Sequence, residues 1–220
     1  TEEQGGNPST DYPFTVKVAD ADGAMDTEDI TVTVNEVNTA PVATDANVST
    51  DEDTSLPITL SATDADIPLN TLTYSIAVGP TNGTLSTVTG NQVTYTPNLN
   101  YNGPDSFTFQ VNDGTVDSNV ATVNITVNAV NDAPVLADIL DQAVVAGNLL
   151  TFTANSTDVD GGAPIYSLSG NPLGSSIDSS TGLFSWTPTT AGVYSFEVVV
   201  SDGNGGTDSQ TVQVTVNHAA

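Results

Sequence analysis

Cysteine is missing from all 220 residues, which excludes a disulfide framework and a thiolate metal centre alike. Basic side chains are almost as scarce. Lys17 is the single Lys or Arg against 27 acids, and the formal net charge is −26. Nucleic-acid backbones are bound through basic side chains and counterion release, so nucleic acid is excluded as a partner. An anionic membrane surface would repel the chain for the same reason. No apolar run is long enough to span a bilayer, so direct membrane insertion is not expected. The sequence opens on Thr1, shows no signal-peptide core, and reads as a segment of something longer. The one histidine, His218, stands at the far end of the chain. A Ser-His-Asp arrangement therefore has no base in a useful place, and no enzyme is expected.

Sustained helical periodicity is absent too, and alternation replaces it. Phe14, Val16 and Val18 alternate with polar residues, as do Ile30, Val32 and Val34. The same pattern returns at 56–60, 72–76, 107–111 and 123–127, and again at 151–153, 183–186, 194–200 and 212–216. Gly, Pro, Asn and Asp cluster between these runs. Short alternating strands separated by turn residues predict an all-β sandwich.

The alternation is itself repeated. Asp20 and Asp113, like Asn38 and Asn131, lie 93 positions apart; Asp64 and Asp158, like Asp66 and Asp160, lie 94 apart. Phe107 and Phe196, with Asp113 and Asp202, are spaced by 89. Tyr95-Thr96-Pro97 is answered by Trp186-Thr187-Pro188. This order predicts the closing hairpin of a truncated repeat at 1–38 and full repeats at 39–132 and 133–220. The seams are Val34-Asn35-Glu36-Val37-Asn38-Thr39-Ala40-Pro41 and Val127-Asn128-Ala129-Val130-Asn131-Asp132-Ala133-Pro134. Proline removes a backbone donor and biases its predecessor toward extended backbone, so the chain leaves the sheet at each seam. What precedes each proline is rich in hard oxygen ligands, a chemistry suited to a hard divalent cation.

Four acidic features accompany the seams: Asp51-Glu52-Asp53, the Asp-x-Asp pairs Asp64/Asp66 and Asp158/Asp160, the Asp-Gly pairs at Asp113 and Asp202, and the seams themselves. In extended chain the two acids of an Asp-x-Asp pair point the same way. Carboxylates ~4 Å apart repel by about 4 kcal/mol at an effective dielectric near 20, so several gathered together call for a counter-cation. Plainer readings exist for each: Asp-Gly is a common turn, and acids on loops are usually solvated.

In this combination the chain resembles the cadherin repeat, and more closely the bacterial cadherin-like tandem repeats, with related Ig-like repeats, of large surface proteins. The resemblance implies tandem Greek-key β-sandwiches arranged as a rod, with Ca2+ bound where consecutive domains meet. Carried over residue by residue, Glu52, Asn131, Asp132, Asp158, Asp160 and Asp202 would serve the junction between the full repeats. Glu36, Asn38, Asp64, Asp66 and Asp113 would serve the earlier one. Thr39 departs from the acidic linker position held by Asp132, Ala129 stands where the earlier seam has Glu36, and Ala146-Gly147-Asn148 stands where an acidic tripeptide belongs. The function implied is a calcium-binding structural and adhesive extension module, extracellular or on a cell surface. Its partners would be calcium ions, with neighbouring copies or cell-surface glycans and proteins. Two alternatives stand beside it: a carbohydrate-binding accessory module of a secreted enzyme, and a fibre subunit assembled by strand complementation through residues 1–38.

Overall fold

The computed structural model describes residues 9–35, 37–66 and 71–219. The chain divides into two compact units, Thr1–Ala129 and Val130–Ala220. Among the described residues there is no helix, as the missing 3.6-residue periodicity requires.

The first unit opens with a hairpin of β1 (Ser9–Ala19) and β2 (Met25–Asn35), paired antiparallel from one end to the other. Asp20 closes its turn: the Asp20 carboxylate accepts the Asp22 N–H at 3.0 Å and the Ala24 N–H at 2.8 Å. Among the described residues these two strands form a sheet of their own.

Nine shorter strands follow, β3 (Val42–Thr44), β4 (Ala46–Asp51), β5 (Leu56–Thr59), β6 (Ser61–Thr63), β7 (Thr73–Val78), β8 (Gly83–Leu85), β9 (Gln92–Pro97), β10 (Gly103–Asn112) and β11 (Ala121–Asn128). They form a four-stranded sheet in the order β4-β11-β10-β7, a three-stranded sheet β5-β9-β8 and a short pair β3-β6. In the large sheet β4 runs parallel to β11, while β10 is antiparallel to both β11 and β7. Period-2 patterning explains the layering. Phe107, Phe109 and Val111 of β10 and Val123, Ile125 and Val127 of β11 point inward, meeting Ile58, Val93 and Tyr95 of the smaller sheet in one buried core. Their neighbours Ser106, Asn124 and Thr126 face solvent. Between β3 and β4 the chain changes sheets, and a side chain supplies the missing ladder bonds. Asn119 Oδ1 accepts the Ala43 N–H at 3.0 Å, and its Nδ2 donates to the Ala43 carbonyl at 3.0 Å.

The second unit repeats this plan with β12 (Val135–Leu136), β13 (Gln142–Val145), β14 (Leu150–Thr153), β15 (Ser156–Thr157), β16 (Ile165–Ser169), β17 (Ser176–Ile177), β18 (Leu183–Trp186), β19 (Gly192–Ser201) and β20 (Thr207–Asn217). The orders β13-β20-β19-β16, β14-β18-β17 and β12-β15 match those of the first unit strand for strand, including the parallel pair β13-β20. Gln210 does the work of Asn119, bonding the Ile139 N–H at 2.8 Å and its carbonyl at 3.0 Å. Phe152, Phe184 and Phe196 stack at 4.6 and 5.1 Å through the core. Trp186 takes the place of Tyr95: it is 4 % exposed, packs edge-on against Tyr194, and donates its Nε1–H to the Leu173 carbonyl at 3.3 Å. The fold is that of tandem β-sandwiches.

Candidate metal centre

At one end of the first sandwich, three segments are tied together by side-chain oxygens. The loop after β6 carries Asp64 and Asp66, where the Asp66 N–H donates back to Asp64 Oδ1 at 3.0 Å. The segment before β3 reaches the same loop through the Thr39 N–H, which donates to Asp66 Oδ2 at 3.0 Å. Asn38 Nδ2 donates to Asp113 Oδ2 at 2.9 Å, so the loop after β10 joins the group. Asp113 also closes its own turn, its Oδ1 accepting the Thr115 and Val116 N–H groups at 2.7 and 2.8 Å. Those bonds, led by Val116 and then the Asn38 amide, hold the Asp113 carboxyl far below the usual carboxylate range.

Geometry then leaves a concentration of negative charge. Asp64, Asp66 and Asp113 each offer an oxygen within 4.8 Å of the others, with Asp66 5 % and Asp113 8 % exposed. Asp64 Oδ2 is sealed from solvent without a hydrogen bond. A buried carboxylate oxygen without a donor is costly unless a cation meets it, and the whole chain holds one Lys or Arg. Carboxylate and amide oxygens at close quarters are the donor set of a hard divalent ion. The residues fit calcium.

The second sandwich builds the same network from its own residues. Asp160 N–H donates to Asp158 Oδ1 at 3.0 Å, Asp132 N–H to Asp160 Oδ2 at 2.6 Å, and Asn131 Nδ2 to Asp202 Oδ2 at 2.7 Å. Asp202 caps its turn through the Asn204 N–H at 2.6 Å and the Gly206 N–H at 3.0 Å. The Asn131 amide, followed by the Asn204 N–H, lowers its carboxyl. A cavity of about 70 Å³ opens beside Asp158 and Asp202, bounded also by Ser156 and the 161–164 turn. That is room for an ion or two waters.

The other expected ligands fall differently. Glu52 belongs to the first unit, buried in the turn after β4, where its N–H donates to the Asn128 carbonyl at 2.9 Å and Asn102 approaches its carboxylate at 3.4 Å. Glu36 lies outside the described residues. Asp178, not among the expected ligands, spends its carboxylate on Ser180 and Thr181, and the Ser180 hydroxyl first among these holds it at about 2. Three contributors escaped the sequence. Thr39 acts through its N–H, which every residue but proline has. Asn102 shares the Glu52 turn. Gly206 lies so close that a Cβ there would strike Asp202 Oδ2 and Ala133 Cα, a need signalled only by the Gly205-Gly206 pair.

Residues 38–126 match the family described as Bacterial Ig domain, and residues 133–217 match Putative Ig domain. Integrin beta-like protein B of Dictyostelium discoideum is 30% identical over 111 residues, 44% of this chain and 6% of that protein. Integrin beta-like protein C of the same organism is 28% identical over 143 residues, 58% of this chain and 7% of that protein. The chain thus spans less than a tenth of the curated relatives it matches. Among solved structures, human CDH23 EC21-23 matches 93% of this chain and 74% of its own, with TM-score 0.57 and 20% identity. Mouse Cadherin-23 EC22-24 matches 94% and 74%, with TM-score 0.53 and 22% identity. At such identities the likeness is one of fold: both units are cadherin-like, Ig-like sandwiches.

Proposed function

We propose that this chain of tandem Ig-like, cadherin-like sandwiches is a calcium-binding extension module of an extracellular or cell-surface adhesion-type protein. The observation that carries the proposal is the buried, donorless Asp64 Oδ2 beside the Asp66 and Asp113 carboxylates. Calcium there would be held by Asp64, Asp66 and Asp113, with the Asn38 carbonyl oxygen as a neutral ligand. Asp158, Asp160, Asp202, Asp132 and Asn131 would do the same in the second unit. When bound, the ion supplies positive charge that lets these carboxylates stay ionised and close.

The residues' own part is to fasten the connecting segment. Asn38 and Thr39, like Asn131 and Asp132, are backbone neighbours that lead into a sandwich, and each pair is already hydrogen-bonded to the loops of the sandwich it enters. An ion shared by the same carboxylates stiffens that entry. Extracellular modules hold calcium at roughly 10⁻⁴–10⁻³ M, weak enough for the joint to respond to the ion's supply.

Calcium titration by calorimetry, with small-angle scattering in calcium and in chelator, tests both parts. Heat saturating in the sub-millimolar to millimolar range and a maximum dimension that shrinks or blurs in chelator are expected. No heat up to 10 mM calcium together with superimposable scattering curves would sink the proposal.

A further inference from the structure

Asparagine followed directly by glycine occurs three times, at Asn82-Gly83, Asn102-Gly103 and Asn204-Gly205. The pair is reactive because glycine has no Cβ to shield its amide nitrogen. That nitrogen can reach the asparagine side-chain carbon and close a ring. Closure needs backbone that can swing, so the fold decides which of the three reacts.

Asn82 is fixed on every side. Its N–H donates to Asp105 Oδ2 at 3.0 Å, and its carbonyl accepts the Asn98 N–H at 2.8 Å. Gly83 is paired with Pro97 in the β8-β9 ladder, and the Tyr95 ring lies so near that a single added carbon would strike it. Asn102 is held by its side chain, whose Nδ2 reaches Glu52 Oε2 at 3.4 Å. Gly103 opens β10 opposite Val127. Asn204 stands apart, exposed in the turn between β19 and β20. Gly203 and Gly205 flank it with φ of 79° and 113°, and a Cβ on Gly205 would meet nothing within 4 Å. Its anchor is its own N–H, bonded to Asp202 Oδ1 at 2.6 Å, which lies upstream of the bonds that turn during closure. The matching turn of the first unit has Thr115 in this place, its N–H bonded to Asp113 in the same way, and cannot react.

We propose that Asn204 is a self-modifying site, converted by water alone to aspartate and isoaspartate. The Gly205 nitrogen loses its proton to solvent base and attacks Asn204 Cγ, and the side-chain nitrogen leaves as ammonia. Water then opens the resulting succinimide at one carbonyl or the other. The balance is one water taken up and one ammonia released. The isoaspartyl product carries an extra methylene in the main chain and a new carboxylate. Both fall inside the turn that Asp202 closes through the Asn204 and Gly206 N–H groups. That turn loosens as the chain ages, in the second unit and not in the first. The inference rests on turn geometry and is independent of the cation reading.

The test is to hold the full-length chain at mildly alkaline pH for weeks, following ammonia release and mapping peptides with enzymatic methyl labelling of isoaspartate. Conversion at Asn204 is expected, slower in mild acid because the attacking nitrogen must be deprotonated. Asn82 and Asn102 should convert at least about tenfold more slowly, since strands open more rarely than turns. In denaturant the three pairs should react at similar rates. Asn204→Gln, whose longer side chain cyclises far more slowly, should suppress ammonia release from the folded chain. After conversion, the Gly206 amide should exchange its hydrogen at least about tenfold faster. Equal rates at the three pairs of the folded chain, an intact Asn204, or unchanged exchange at Gly206 after conversion would each overturn the proposal.

Discussion

The acidic loops of the two units share the hydrogen bonds within the Asp-x-Asp pair and to the entering segment, and have different surroundings. In the first, Asp66 and Asp113 are buried, and Thr39 brings only a backbone N–H. In the second, Asp160 is exposed and Asp158 and Asp202 are half-buried, and a fourth carboxylate, Asp132, stands where Thr39 does. Enclosing anions away from water costs free energy that only close pairing repays. The enclosed group gathers fewer carboxylates and the open one more. The aromatic slot shows the same principle in the core. Tyr95 gives its hydroxyl to the Asp105 carboxylate at 2.9 Å, while Trp186 gives its N–H to a backbone carbonyl. Burial first, then the Asp105 carboxylate, pushes the Tyr95 hydroxyl up. One shape is filled twice, with a charged acceptor in one unit and a neutral one in the other.

Breaking the comparison at its strongest point means emptying one slot. Trp186→Ala should cost about 3–5 kcal/mol and lower only the second unit's melting transition. Calorimetry that showed both transitions falling together would mean the units do not unfold independently. A substitution that makes the sites alike comes next. Thr39→Asp places in the first unit the carboxylate that the second already has, and should tighten calcium binding there by about tenfold, roughly 1.4 kcal/mol. An unchanged isotherm would show that the enclosed site has no room for a further anion.

The smallest effect is that of acid. Asp113 and Asp202 have folded-state pKa values below their ordinary value of 3.8, and Asp178 sits at about 2. A depressed carboxyl adds stability that is present above its unfolded pKa and is lost as pH falls through the folded one. In chelator, both transitions should hold steady from pH 8 to pH 5 and decline below about pH 4. Melting temperatures flat down to pH 2 would mean the turn-capping bonds contribute nothing.

The long strands were legible because alternation alone defines them: β11 buries four alternate residues, and β10, β19 and β20 three each. β3, β6, β12 and β15, two or three residues each, carry too little pattern to read. Tertiary partners place them, as Asn119 places Ala43. At the acidic loops, Asp64, Asp66 and Asp113 could be found because their oxygens are needed at fixed intervals in each repeat. The Thr39 N–H and the cramped backbone of Gly206 could not, since one is common to nearly all residues and the other depends on packing. The depth of Glu52, buried in its turn rather than lying on a charged edge, was equally invisible.

The parallel pairing of β4 with β11, and of β13 with β20, has a mechanical consequence. Because β4 and β11 run the same way side by side, tension carried from β4 to β11 slides them past each other instead of peeling them apart. All six paired positions from Ala46↔Val123 to Asp51↔Asn128 must then give way together, whereas β13 and β20 share four. Under tension of that kind, the second sandwich is expected to yield first.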